Sequence, residues 1–86
     1  MNKRSVKTIQ EYPFATPRHV RDARACLGWN LYKIQEKSGL TLDTISRYER
    51  GAKELLPKTV AIMYRTFERE GVELVPDGLR AKDMQR

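Results

Sequence analysis

Eighty-six residues suffice for one small domain with tails and are too few for two independent cores. Lysine and arginine number 17 against 11 aspartates and glutamates, a net charge of +6 that points to an anionic polymer, nucleic acid first, while leaving anionic lipid and plain solubility open. The single cysteine, Cys26, excludes an internal disulfide, and with His19 as the only histidine no zinc cluster can be assembled, so no metal and no cofactor are expected.

Residues 1–15 are polar and basic, carry only Tyr12 and Phe14 as aromatics, and show no helical period; they are read as a flexible arm. The opening MNKRSVKTIQEY has no apolar signal core and no stretch approaches a membrane span, so a cytoplasmic protein without a membrane partner is expected. Thr16-Pro17 then supplies a cap followed by proline at the first helical position. Val20, Ala23 and Leu27 recur on one face until Gly28, which predicts the first helix. Cys26 falls inside it and is read as a small packing residue rather than a reactive thiol.

Trp29 is expected to be buried in the connection, with Asn30 capping a second helix over 31–38 in which Leu31, Ile34 and Ser38 share a face. Gly39 ends it. Only Leu40 and Thr41 separate this glycine from a third helix over 42–50, an abrupt change of direction between two helices too short to stand alone. That third helix has two different sides. Ile45 and Tyr48 lie together with Leu42 at their edge, while Asp43, Ser46, Arg47 and Arg50 lie opposite, flanked by Thr44. Thr41 is its N-cap, and Gly51 suits a left-handed end.

A polar loop with Lys53 and Glu54 leads through Leu55-Leu56-Pro57 to a fourth helix over about 58–70, where Val60, Met63, Tyr64 and Phe67 keep the spacing of one helical face and Gly71 closes it. Val72–Val75 with Pro76-Asp77-Gly78 reads as one short extended segment ending in a turn. The charged residues beyond are read as a loose tail, which places the domain at 16–75 and the tail at 76–86.

Residues 16–71 resemble the DNA-binding domain of the phage repressor and Cro family, the XRE-type regulators. The resemblance lies in the order of features: an arginine inside the first helix, Gly28 at its end, Asn30 capping the second, Gly39 in the turn, then Ile45-Ser46-Arg47-Tyr48-Glu49-Arg50-Gly51. It implies an all-α fold, a small lambda-repressor-like bundle of four to five helices with a helix-turn-helix and a short extended C-terminal segment. It also implies that Arg24 and Glu49 form an ion pair tying the first helix to the third. The helical wheel supports this, because it puts Glu49 nearer the packed side, where a charge needs a partner.

In the family the third helix enters the major groove, so the resemblance makes Leu42, Asp43, Thr44 and Arg47 the base-contacting candidates. Arg47 leads, since a guanidinium can donate two hydrogen bonds to guanine N7 and O6. Asp43 either accepts from a cytosine amino group or simply favours the positive end of the helix. Phosphate contacts are expected from the amides around Asn30 and from Arg50, Lys53 and Arg18 or Arg21. Lys3, Arg4 and Lys7 either reach into a minor groove or touch nothing. Leu31, Gln35 and Ser38 depart from the family pattern, replacing a phosphate-contacting glutamine, a small residue at the close approach of the second and third helices, and an apolar residue.

The function expected is a sequence-specific regulator of transcription that binds double-stranded DNA at a two-fold operator as a homodimer. The alternative is a protein-interaction module of the same fold, an antitoxin or antiactivator, whose partner is a toxin, an activator or polymerase. An enzyme is not expected: there is one histidine, placed on the surface in this reading, no glycine-rich phosphate loop and no nucleophile motif. Phe67, Val72, Leu74 and Val75 either form the dimer surface or fold back to complete the core.

Overall fold

The computed structural model describes residues 15–81, within which the chain forms four helices followed by a β-hairpin. The arm residues Lys3, Arg4 and Lys7, and residues 82–86 of the tail, lie outside the described residues. The helices are α1 (Pro17–Leu27), α2 (Leu31–Ser38), α3 (Leu42–Glu49) and α4 (Pro57–Glu68). Two strands follow, β1 (Val72–Val75) and β2 (Gly78–Ala81). The domain is therefore mainly helical rather than all-α.

The hairpin corrects the single extended segment expected from the sequence, and it continues past residue 75, where the tail was expected to begin. β1 and β2 run antiparallel with Leu74 opposite Leu79 and Glu73 opposite Arg80. The Arg80 guanidinium reaches the Glu73 carboxylate at 2.9 Å across the strands. A two-stranded ribbon of this length is marginal alone. It is held because Val72 and Leu74 point into the helical core, Leu74 with no exposed surface.

That core draws on all four helices and on β1, with Leu79 of β2 partly buried against it. Val20 and Ala23 of α1, Ile34 of α2, Ile45 and Tyr48 of α3, and Met63 and Phe67 of α4 close around Leu74, joined by Ala15. Trp29 is half-buried, its ring stacked on Phe67 at a centroid distance of 5.8 Å. Phe67, Val72 and Leu74 thus fold back to complete the core and are not free to form a dimer surface. Ala15, assigned to the arm by composition, is buried, and its carbonyl accepts a hydrogen bond from the Tyr48 hydroxyl.

α2 and α3 meet across a very short connection. Gly39 adopts φ 79°, a left-handed conformation that costs a residue with a Cβ about 1–2 kcal/mol, and its amide donates to the Gln35 carbonyl at 2.9 Å. The Ser38 hydroxyl accepts from the Leu40 amide at 3.1 Å, so the serine that departs from an apolar pattern serves the turn instead. Gln35 is exposed, turned away from the α2–α3 contact.

Candidate nucleic-acid interface

α3 is capped where the sequence places the cap: the Thr41 hydroxyl accepts from the Thr44 amide at 3.2 Å and donates to the Thr44 hydroxyl at 2.9 Å. Ile45, Tyr48 and Glu49 are its buried residues. Its last turn is held from α1 by two arginines. Arg24 donates from Nε to Glu49 Oε2 at 2.8 Å and from Nη2 to Oε1 at 3.0 Å, and its Nη1 donates to the Trp29 carbonyl at 3.0 Å. Arg21 donates to the Glu49 main-chain carbonyl at 2.6 Å, a cation at the negative end of α3.

The Glu49 side chain is only 8% exposed and that of Arg24 25%, so the pair is largely withdrawn from solvent. The hydrogen bond to Glu49 raises the Arg24 pKa above its ordinary value against the opposing effect of burial. The expected ion pair is therefore present with both carboxylate oxygens engaged. Arg21, considered as a phosphate contact from the sequence, is exposed and also ties α1 to the end of α3 through this bond.

The opposite side of α3 faces solvent. Asp43 and Arg47 are exposed, with Leu42, Thr44 and Ser46 half-buried beside them. Arg47 lies 3.5 Å from the Asp43 carboxylate, one helical turn back. Arg50 follows at the C-cap and donates to the Ser46 hydroxyl at 2.7 Å. All four base-contacting candidates thus belong to one short helix, and the Asp43–Arg47 pair aligns two of them.

The phosphate candidates are spread more widely. Asn30 uses its side chain to cap α2, accepting from the Lys33 amide at 2.9 Å, which leaves the amides of Leu31 and Tyr32 at the open end of that helix. Lys53 is exposed in the loop after α3, and Arg18 stands at the exposed start of α1, 3.6 Å from Asp22.

Two sequence expectations are corrected. His19 is buried, 6% exposed, rather than on the surface. It closes a capping box with Thr16: the Thr16 hydroxyl accepts from the His19 amide, and His19 Nδ1 accepts from the Thr16 amide, each at 3.2 Å. Its Nε2 lies 2.6 Å from the Val75 carbonyl, which can only accept, so Nε2 carries the proton and α1 is fastened to the hairpin. The second correction is Cys26, which is exposed and packs no core.

Burial raises the Tyr48 phenol above its ordinary pKa, which keeps it a hydrogen-bond donor to Ala15. No helix among the described residues is long and apolar enough to cross a membrane. The chain matches no known family model, and no curated protein is significantly similar to it.

Proposed function

We propose that this protein is a sequence-specific regulator that binds double-stranded DNA through α2 and α3 as a helix-turn-helix, with α3 in the major groove. The observation that carries the reading is the division of α3. Its inner side is locked to α1 and the core through Ile45, Tyr48 and the doubly bonded Glu49, while Asp43, Arg47 and Arg50 stand outward on a rigid base. Groups that must meet base edges need such fixed placement, because an ångström of misplacement loses bidentate geometry.

In this reading Arg47 donates to guanine N7 and O6, worth about 1–3 kcal/mol of discrimination. Asp43 holds Arg47 at the angle it needs, and Leu42 and Thr44 contact neighbouring bases. Arg50, Lys53, Arg18 and the amides after Asn30 take phosphates, fixing register without reading sequence. The protein acts by binding, without catalysis and without a cofactor.

One such helix reads only a few base pairs. A homodimer on half-sites roughly 34 Å apart multiplies the discrimination, as a two-fold operator requires. With Phe67, Val72 and Leu74 committed to the core, subunits meet through other surfaces. Three or four phosphates neutralised per subunit give a slope of log K against log salt of about −5 to −7. A salt titration on a bound duplex tests this, and a slope near zero would exclude the proposed backbone contacts.

A further inference from the structure

The outward face of α4 differs in charge from every other helix surface in the domain. Lys58, Ile62, Arg65 and Arg69 are all exposed. At 100° per residue they fall within an arc of about 60°, forming a stripe roughly 16 Å long with the isoleucine between the cations. Among the described residues none of these three cations has an acidic partner, whereas α1, α2 and α3 each balance an exposed cation within one turn, in Arg18–Asp22, Lys33–Glu36 and Arg47–Asp43. The nearby acids point elsewhere: Glu68 is half-buried off the stripe, and Glu70 faces Lys37 at 3.9 Å. Ile62 is 37% exposed and supplies the apolar surface of the stripe; Leu56, 66% exposed, is the N-cap of α4 and lies off it.

We propose that this face of α4 is a docking surface for an acidic amphipathic segment of a partner protein, with carboxylates on Lys58, Arg65 and Arg69 and an apolar side chain on Ile62. Charge complementarity selects the occupant. A second copy would oppose three cations to three cations, and like charges in an interface are repulsive. Residues 1–14 hold Lys3, Arg4 and Lys7 against Glu11, and residues 82–86 hold Lys82 and Arg86 against Asp83, so neither end of the chain supplies the complement. A duplex would match the cations but give Ile62 no apolar counterpart. The stripe lies on a different helix from the outer side of α3, and the main packing partners of α4 are α2 and β1 rather than α3. Docking there leaves α3 open, and the partner would change what the DNA-bound protein recruits or excludes without competing for the duplex.

The test uses the whole 86-residue chain, isotopically labelled, and a synthetic peptide of about 16 residues, long enough as a helix to cover the stripe, with Glu and Asp on one helical face and two leucines among them. The expected result is that its shift changes centre on the amides of Lys58, Ile62, Arg65 and Arg69. Affinity falls about tenfold or more in Lys58→Glu/Arg65→Glu/Arg69→Glu and in the milder all-glutamine variant, and severalfold in Ile62→Ser. A peptide of equal charge without leucine binds more weakly, and duplex binding through α3 is unaltered in the glutamine variant. Equal binding to wild type and to folded glutamine variant, or peptide shifts away from α4, overturns the proposal. A duplex that shifts the α4 amides and displaces the peptide reassigns the stripe to nucleic acid. The peptide-binding outcomes do not depend on whether α3 reads DNA, so the two readings fail separately.

Discussion

Replacing Arg24 by alanine removes the clamp between α1 and α3 and leaves the Glu49 carboxylate, 8% exposed, without its two charged donors. Breaking a buried pair from one side costs about 3–5 kcal/mol. Because the Arg24 side chain keeps a quarter of its surface in solvent, the lower end applies, roughly 3 kcal/mol. The bond to the Trp29 carbonyl is lost in the same step. A domain this small holds on the order of 5 kcal/mol in total, so the variant should retain less than half its stability. Thermal unfolding followed by circular dichroism should show a midpoint lower by roughly 12–24 °C. Restoring balance is the sharper part of the experiment. Arg24→Met combined with Glu49→Met removes both charges and should recover most of the loss, since well-packed apolar replacements of buried pairs are often neutral. A loss below about 1 kcal/mol for Arg24→Ala would refute the reasoning, because that is the range of an exposed pair.

Other consequences follow from the same contacts. Tyr48 has its pKa raised by burial, so its contribution to stability is complete below the unfolded phenol value near 10 and is lost as pH climbs beyond it. Tyr48→Phe should lose about 1 kcal/mol at neutral pH and show a flatter decline of melting temperature above pH ~10; an unchanged alkaline slope contradicts the assignment. His19→Ala should cost roughly 1–3 kcal/mol, and hydrogen exchange should show β1 and β2 amides opening before the helices. Uniform protection after that substitution would mean that the Val75 contact does not fasten the hairpin. Asp43→Ala should raise affinity for unrelated duplexes by removing a negative charge while relaxing discrimination at the base assigned to Arg47 by about 1 kcal/mol, measured by competition binding. Discrimination left intact would free Asp43 of its positioning role.

The first three helices were legible because their boundaries are marked in the sequence, whereas α4, expected over about 58–70, spans Pro57–Glu68 and has no side-chain cap at Leu56. Thr16-Pro17 and Gly28, Asn30 and Gly39, and Thr41 before Leu42 mark ends that the structure reproduces. That Glu49 needs a partner was legible because a carboxylate on the packed side of a helix has few ways to be satisfied; that the partner is Arg24 came from the family resemblance. The second strand was not legible, because Gly78-Leu79-Arg80-Ala81 is too short and too mixed to show a period; its place is set by pairing with β1, where Leu79 stands opposite the buried Leu74. His19 was misplaced because its capping box has histidine where glutamate or glutamine is the usual signal. Cys26 lies about 120° from Val20 on the wheel of α1, so its exposure follows from phase rather than residue type. For the outer side of α3, sequence and structure agree on which residues share a surface, and Arg21 shows how a basic residue near that surface can have another use.

The central claim is that α3 reads base sequence through Arg47. Selection of bound duplexes from a random pool, run in parallel on the wild-type protein and Arg47→Ala at moderate salt, tests it most directly. The account predicts a two-fold motif whose discrimination is lost at one base in each half-site of the variant. No enriched motif, or binding governed by salt alone and unchanged in the variant, would contradict it.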